Sequence, residues 1–433
     1  MRLAVFLNGM GLGGTEKAAG IWALRLAQDP AFQQVRILSL SDGPRRKEWE
    51  KAGLEVQVVD AGKIPQALGG TDVIHAHAPG FPHAGDVLGE ALTRVGRKIP
   101  VVQTNIFGKL ENPKEEAWTD FRLFISWTSC VQAARRSRRK LDEDFFRRQS
   151  VASYPVEPWT EAQIGRLKTQ AQMARKSWGL ESHHVLFGRF SRPEPNKWTP
   201  MVLKAFFQAH RKNPSIRLLL REPPPQVASS LNHKQLATWV ETPNPNRPVL
   251  LMPATPDGWD LAVSQATCDA ILHTSSIGES FGYGIAEAMA VAKPVITHSV
   301  PWYDQAQLEL VRQGQTGLVA SVRGTILKAI LQLASNPEYR QALGKAAQSH
   351  IEKLADPTIS TQRLAQAIAR AVHGLENSHA SADLQRAQLT AANLDSCQWG
   401  SSLAEQIYLR GRTGQIVLLR LQRALRSRLT SHP

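Results

Sequence analysis

The stretch Ile277-Gly-Glu-Ser-Phe-Gly-Tyr-Gly-Ile-Ala-Glu-Ala-Met-Ala-Val-Ala-Lys-Pro-Val-Ile296 sets two carboxylates, Glu279 and Glu287, on either side of a glycine-punctuated turn that leads into a helix. The apolar run Ala270-Ile-Leu272 ahead of it reads as a buried strand, and Ile285 to Ala292 reads as a helix closed by Pro294. The glycines therefore fall where strand becomes helix, the place at which open α/β sheets bind nucleotides. A carboxylate in the loop, Glu279, can reach a sugar hydroxyl, and Glu287, about two turns further on, can accept from a second polyol such as ribose. Together they can grip both ends of a sugar nucleotide. A plainer reading, in which each Glu only offsets the positive end of a helix dipole, uses the same positions.

Working outward, apolar runs alternate with helical patterns on both sides of this stretch. Leu3 to Leu7, Val35 to Leu40, Val56 to Val59, Val73 to His77, Pro100 to Thr104 and Phe121 to Ser126 are strand candidates. The Pro-rich segment Tyr154-Pro-Val-Glu-Pro158 ends this series. A second series runs through Val185 to Phe187, Ile216 to Leu220, Val249 to Met252, Ala270 to Leu272 and Val295 to Thr297, with Pro223 to Pro225 and Thr242 to Pro248 as turn-rich surface loops. Such alternation predicts an α/β chain of two Rossmann-like, doubly wound parallel sheets facing a cleft. The expected division is 1–158, 159–375 and a polar-to-basic helical tail over 376–433.

Two basic or glycine-rich motifs sit where such sheets bind ligands. The first strand runs into Asn8-Gly-Met-Gly-Leu-Gly-Gly-Thr-Glu-Lys17, whose Gly13 and Gly14 let main-chain N–H groups approach a phosphate at a helix N-terminus. The spacing is neither a Walker pattern nor a clean dinucleotide fingerprint. In the second series Arg189 ends a strand and Lys197 follows in Asn196-Lys197. A guanidinium and an ammonium can stabilise a departing diphosphate from two directions.

Taken whole, GESFGYGIAEAMAVAKPVI closely resembles the signature of retaining GT-B glycosyltransferases of family 4, with two Glu residues separated by seven, Phe-Gly after the first, and Glu-Ala-Met-Ala before Pro-Val. Gly13-Gly14-Thr15-Glu16 resembles that family's Gly-Gly-Ala-Glu loop, and Gly188-Arg189 with Asn196-Lys197 resembles its Gly-Arg followed by Lys-Gly. The chain departs from the pattern at Ala292-Lys293, where the family has a Gly before Pro-Val, at Trp198 in place of Gly, and at Asn105, within Thr104-Asn105-Ile106, where a Thr-x-His histidine is usual. The resemblance implies Glu287 on the ribose and Glu279 on the transferred sugar, with backbone groups near Phe281 and Gly282. It further implies Arg189 and Lys197 on the diphosphate, the Gly11 to Gly14 loop near the phosphates, and retention of configuration. Asn105 can hydrogen-bond a sugar but cannot act as a base at neutral pH. Front-face attack, with the leaving phosphate taking the acceptor proton, requires no protein base.

Composition bounds the rest. A chain of 433 residues suits two α/β domains and a tail, and no run reaches the ~18 apolar residues of a membrane span. Leu3 to Leu7 is too short for a signal h-region, and Cys130, Cys268 and Cys397 show no paired spacing; a cytoplasmic chain is expected, with the inner face of the membrane as a peripheral site. The net charge of +15 gathers at Arg135 to Lys140 and in the tail, where no acid follows Glu405. There Leu418, Leu421, Leu425 and Leu429 share one helical face that arginines flank and oppose, the pattern of an interfacial helix or of one docked on its own protein. An anionic membrane surface is thus among the partners the tail admits, while no nucleic-acid-reading motif is present.

His75, His77 and His83 lack a carboxylate or cysteine to complete a ligand set, so neither a metal nor another cofactor is expected. Asp142-Glu-Asp144 matches the DxD of metal-dependent transferases but lies in a helix-like basic segment and reads as solvated charge. The loop Pro301 to Gln307 stands where the family holds the nucleotide or sugar. The reading is a glycosyltransferase taking a nucleotide-sugar donor, as substrate, to a glycan, lipid-linked or other small-molecule acceptor in cell-surface glycan or glycolipid biosynthesis. Two alternatives share the fold: a non-catalytic scaffold, and a sugar-nucleotide epimerase or phosphorylase.

Overall fold

The computed structural model describes residues 1–77, 82–108, 110, 113–192, 194–221, 237–244, 247–253, 258–400 and 402–430, with 417–430 as backbone. The chain forms two units. Unit 1 comprises Met1–Glu157, Ser280–Tyr283 and Glu352–Ala392, and unit 2 comprises Pro158–Glu279, Gly284–Ile351 and Asn393–Pro433.

Unit 1 is built on a seven-stranded sheet with strands β1 (Arg2–Leu7), β2 (Gln34–Ser39), β3 (Glu55–Val58), β4 (Val73–Ala76), β5 (Val101–Asn105), β6 (Phe121–Phe124) and β7 (Gln149–Val151) in the order β3-β2-β1-β4-β5-β6-β7. Every pairing is parallel. All residues of β1 after Arg2 are buried, as a central parallel strand covered on both faces requires. The six expected strands are present with ends shifted by one or two residues. Strand β7 has no apolar run to announce it. Its polar residues are met instead by the chain that returns from unit 2: Asn377 Nδ2 donates to Gln149 O (3.0 Å) and Ser150 Oγ to Asp383 Oδ2 (2.6 Å).

That returning chain changes the expected division. The helix Pro357–His373 belongs to unit 1, where Trp22 Nε1 donates to Ser360 Oγ at 3.0 Å and Arg363 pairs with the buried Asp383 at 3.0 Å. It starts where Asp356 accepts from Thr358 N and Ile359 N with Pro357 behind, and stops at Gly374 in the left-handed region. Such contacts between residues hundreds of positions apart leave no trace in local sequence.

Unit 2 carries a second parallel sheet with strands β8 (Val185–Arg189), β9 (Ile216–Arg221), β10 (Ala237–Trp239), β11 (Val249–Met252), β12 (Ala270–Leu272), β14 (Val295–Thr297) and β16 (Gly317–Val319), ordered β10-β11-β9-β8-β12-β14-β16. A separate pair joins β13 (Gly278–Glu279) to β15 (Asp304–Gln305). The five expected strands are there; β10, β13, β15 and β16, each of three residues or fewer, were not anticipated. Phe187, Phe206, Leu218, Leu220, Ile330 and Leu333 are buried together and fill its core. The helix after the signature loop runs Tyr283–Ala290 and ends as Lys293 N bonds Ala288 O (3.0 Å), with Ala292 at φ +56° ahead of Pro294. Asp142 to Asp144 lie in turns, not in a helix; Asp144 pairs with Arg147 at 3.1 Å, as solvated charge does. Arg135, Arg136 and Arg138 to Lys140 are exposed.

The tail contains a helix, Leu403–Thr430. The side chains of Leu418, Leu421, Leu425 and Leu429 lie outside the described residues, as do Pro223 to Pro225 and the side chain of His83. Among the described residues no helix is long and apolar enough to cross a membrane.

Candidate functional site

In unit 2 the strand order reverses direction at β8, with β9 on one side and β12 on the other, so the crevice for a ligand lies beyond the carboxyl ends of β8 and β12. Glu279 stands there. Its carboxylate accepts from Lys197 Nζ (2.9 and 3.1 Å) and from His273 Nε2 (3.0 Å). Burial alone raises the Glu279 pKa, but the His273 hydrogen bond and the Lys197 charge outweigh it and hold the group down at about 2. Burial, helped by the charges of Arg189 and Lys197, lowers the His273 pKa against the opposing pull of Glu279, so the ring is neutral at pH 7 and donates from Nε2–H.

The loop that carries Lys197 is clasped by the strand end that carries His273. Ser276 N and Oγ both donate to Asn196 O (2.9 and 2.6 Å), and Thr199 and Thr274 hydroxyls meet at 2.8 Å. Arg189 is inside this clasp rather than projecting to a ligand. It is 1% exposed, and its guanidinium donates to Leu272 O at 2.9 Å and to Lys197 O and Thr274 O. The β8–β12 register, with Gly188 beside Ile271, puts it next to Leu272. Trp198 lies beneath it, 4.4 Å from ring centre to guanidinium carbon, which explains the indole at a position where Gly was expected. The two terminal nitrogens of the guanidinium are thus engaged by main-chain carbonyls, while its Nε has no partner among the described residues. Burial pushes its pKa down to about 9, with Glu279 opposing, so the buried charge persists at neutral pH.

The main chain at Glu279 is equally fixed. Its N–H donates to Gln307 Oε1 (3.0 Å), its carbonyl accepts from Ala306 N (2.8 Å), and Gln307 Nε2 donates to His298 O (3.1 Å). Gly278 makes this pairing possible: its φ is +65°, and a Cβ would fall 1.7 Å from Asp304 O. Gln307 entered the sequence reading only as the end of the Pro301 to Gln307 loop, and His273 escaped it. The polar run His273-Thr-Ser-Ser276 at a strand end was the available signal for the second of them.

Among the described residues, several buried polar atoms here have no hydrogen-bond partner: Arg189 Nε, His273 Nδ1, Ser275 Oγ, Thr297 Oγ1 and His298 Nδ1. All sit at or just beyond the carboxyl ends of β8, β12 and β14. Buried polar groups are nearly always paired in native proteins, so this concentration marks a place that a polar ligand or water completes. Glu287 is half-buried on the helix Tyr283–Ala290.

Unit 1 holds the other expected residues. Gly13 precedes the helix Gly14–Leu26, and a Cβ on Gly14 would lie 2.7 Å from the Tyr283 ring. A Cβ on Gly13 would meet the Glu16 carboxylate at 2.3 Å, so a carboxylate already occupies the ground beside this helix start. Phe281 is buried, with its ring 5.6 Å from Tyr154 and 5.1 Å from Tyr283, and Gly282 has φ +100°. Asn105 is buried at the carboxyl end of β5. The tilted rings of His75 and His77 have their centres 4.3 Å apart and pack against Trp22, with His75 Nε2 on Thr104 Oγ1 at 2.7 Å; burial holds His77 neutral, its pKa at about 3. No group of His, Cys, Asp and Glu among the described residues is arranged to hold a metal ion.

Residues 172–350 match the family model of glycosyl transferases group 1. This region is similar to the glycosyl transferases group 1. The group 1 region contains Arg189, Lys197, His273, Glu279, Glu287 and Gln307, so the Glu279 site lies wholly within it. Solved structures share the fold over most of the chain. Anabaena Alr3699/HepE, in complex with UDP and glucose, is 18% identical with a TM-score of 0.64, covering 84% of this chain and 99% of that one. A glycosyltransferase from Rickettsia africae ESF-5 is 12% identical with a TM-score of 0.65, covering 86% and 98%. Sucrose-phosphate synthase from Thermosynechococcus elongatus is 15% identical with a TM-score of 0.60, covering 86% and 100%. None of the curated proteins matches the sequence. The fold is GT-B, with two Rossmann-like units and a helical C-terminal region.

Proposed function

We propose that the protein transfers a sugar from a nucleotide-sugar donor to a glycan, lipid-linked or other small-molecule acceptor, with retention. The observation that carries this reading is the Glu279 carboxylate, held ionised by Lys197 and His273 and fixed through its main chain by Gln307, at the switch point of a group 1 region. A carboxylate that keeps its charge in a buried setting accepts hydrogen bonds from sugar hydroxyls and orients the ring. Glu287, on the following helix, is assigned to the ribose. Lys197 is assigned to the diphosphate, because an ammonium carries three donors and its pairing with one carboxylate leaves it able to turn toward a second anion. Arg189 acts from beneath, by fixing the Lys197 and Thr274 carbonyls and by its buried positive charge. That HepE has been captured with UDP and with UDP-glucose supports a uridine nucleotide as the first donor to test.

In the proposed reaction the acceptor oxygen bonds to the anomeric carbon on the face from which the diphosphate leaves. The acceptor proton passes to the leaving phosphate oxygen, so no protein base is used and Asn105 contributes only a hydrogen bond to the sugar. Growing charge on the diphosphate is met by Lys197. Removing one such electrostatic contact lowers the rate by about a hundred- to a thousandfold.

The test is release of free nucleoside diphosphate from UDP-, GDP- and ADP-sugars, with and without glycan and lipid-linked acceptors, for the native protein and Glu279→Gln. Acceptor-dependent release that falls by that factor in the variant supports transfer. Interconversion of the donor sugar without acceptor would assign an epimerase, and consumption of no donor a scaffold.

A further inference from the structure

The start of the helix Leu403–Thr430 is tethered by one face, and the tether decides which face looks outward. Glu405, with no exposed surface, accepts at Oε1 from Ser321 N (2.5 Å) and Thr325 Oγ1 (2.6 Å), so its carboxylate sits at the N-terminus of the helix Arg323–Ser335. Leu409, four residues on and on the same side, is likewise fully buried. On a helix turning 100° per residue, Leu403 and Ile407 stand on a different face from Glu405 and Leu409, and they are 73% and 65% exposed, with Tyr408 at 43%. In register, the Leu403 and Ile407 stripe continues through Gly411 and Gly414 to Leu418, Leu421 and Leu425. The apolar stripe of this helix, at its described end, is turned away from the protein that anchors it.

Charge identifies what covers the stripe. Glu405 is the one acid from residue 396 to the end of the sequence, and it is buried and bound to donors, whereas six arginines follow it. Arg410 and Arg412 are exposed, and the Arg410 guanidinium lies 5.5 Å from the Trp399 ring, placing a cation and an indole side by side. An apolar stripe with Arg410 and the Trp399 ring at its edge, a further arginine on the opposite face and no exposed acid matches a bilayer surface that is negative outside and apolar just beneath.

We propose that the stripe beginning at Leu403 and Ile407 is a docking face for an anionic lipid surface, held outward by the Glu405 clamp. It does not rest on the glycosyl-transfer reading. The face inserts apolar side chains between headgroups while the arginines meet lipid phosphates, so binding needs both parts.

The test is sedimentation of the full chain with phosphatidylcholine vesicles, with and without phosphatidylglycerol, at low and high salt. The variants are Leu403→Asp/Ile407→Asp and Arg410→Glu/Arg412→Glu. Both pairs are exposed, and a thermal melt checks that each variant folds. Expected are binding to phosphatidylglycerol vesicles alone, weakening with salt, and a loss of roughly tenfold or more in partitioning for each variant. The proposal is overturned by equal sedimentation with neutral vesicles, by none, or by full retention in the Leu403→Asp/Ile407→Asp variant. It is also overturned if light scattering shows a dimer that this variant dissociates, since a second copy would then cover the stripe, or if the chain sediments with nucleic acid and not with vesicles.

Discussion

The main-chain amide of Glu279 donates to the side-chain carbonyl of Gln307 at 3.0 Å, and the amide end of the same Gln307 reaches His298 O at 3.1 Å. One side chain, fully buried, thereby ties the signature loop to the end of β14. Gln307→Leu keeps the volume but leaves a donor and an acceptor unpaired. The expected cost is about 1–3 kcal/mol in urea unfolding, accompanied by a fall in transfer rate greater than any change in donor affinity. Unchanged stability and rate would remove Gln307 from the account.

Lys197 and His273 act on the same carboxylate in different ways. Lys197→Met takes a charge from both Glu279 and the proposed diphosphate, and is expected to lower the transfer rate by about a hundred- to a thousandfold. His273→Gln, which preserves a donor toward Glu279, is expected to keep substantially more activity than His273→Leu. Equal losses in the two His273 variants would show that the ring serves packing and not orientation.

Ala292 adopts φ +56°, the conformation for which glycine is suited, at the position where the resembling family has one. A left-handed alanine is strained by about 1–2 kcal/mol, and part of that is returned by the greater freedom of glycine in the unfolded chain. Ala292→Gly is therefore expected to raise the free energy of urea unfolding by about 0.5–1 kcal/mol, and Ala292→Val to lower it. A destabilised glycine variant would contradict the backbone described for this turn.

The acid limb of stability follows from groups whose folded pKa lies below the unfolded one. Burial places His77 and His298 at about 3, against about 6.5 in an unfolded chain, and Glu279 is held at about 2 against about 4.3. In each case the unfolded state binds the proton first. The contribution is complete above the unfolded pKa and is lost as pH falls toward the folded one, at about 1.4 kcal/mol per pH unit for each group. Stability is expected to decline below about pH 6.5 through the histidines and more steeply below about pH 4.3 as Glu279 joins. His77→Gln should flatten the first limb by about one proton, measured as the pH dependence of the urea midpoint; an unchanged slope would contradict the buried, neutral His77.

What sequence made visible was what local pattern controls. Apolar runs such as Leu3 to Leu7 and Ala270 to Leu272 disclosed strands buried on both faces, and the Glu279 to Glu287 spacing placed a loop carboxylate ahead of a helical one. What it hid was set by distant pairing. Strand β7 is polar and is satisfied by Asn377 and Asp383. Gln307 reaches Glu279 across 28 residues only because β13 pairs with β15. Arg189 looked like a ligand contact because a cation at a strand end is chemically suited to phosphate. Only the β8–β12 register reveals that the carbonyls of Leu272, Thr274 and Lys197 already engage it.

The central claim is that a nucleotide-sugar is gripped through Glu279 and Glu287 of the group 1 region. The most direct measurement is a thermal-shift panel of UDP-, GDP- and ADP-sugars and their free nucleotides on the native chain and on Glu287→Ala. A ligand at 100 times its dissociation constant adds about 2.7 kcal/mol to stability. Stabilisation by one nucleotide series, lost in Glu287→Ala, is the predicted result. Absence of any shift in the folded native chain at millimolar ligand, or a shift that Glu287→Ala leaves intact, would contradict it.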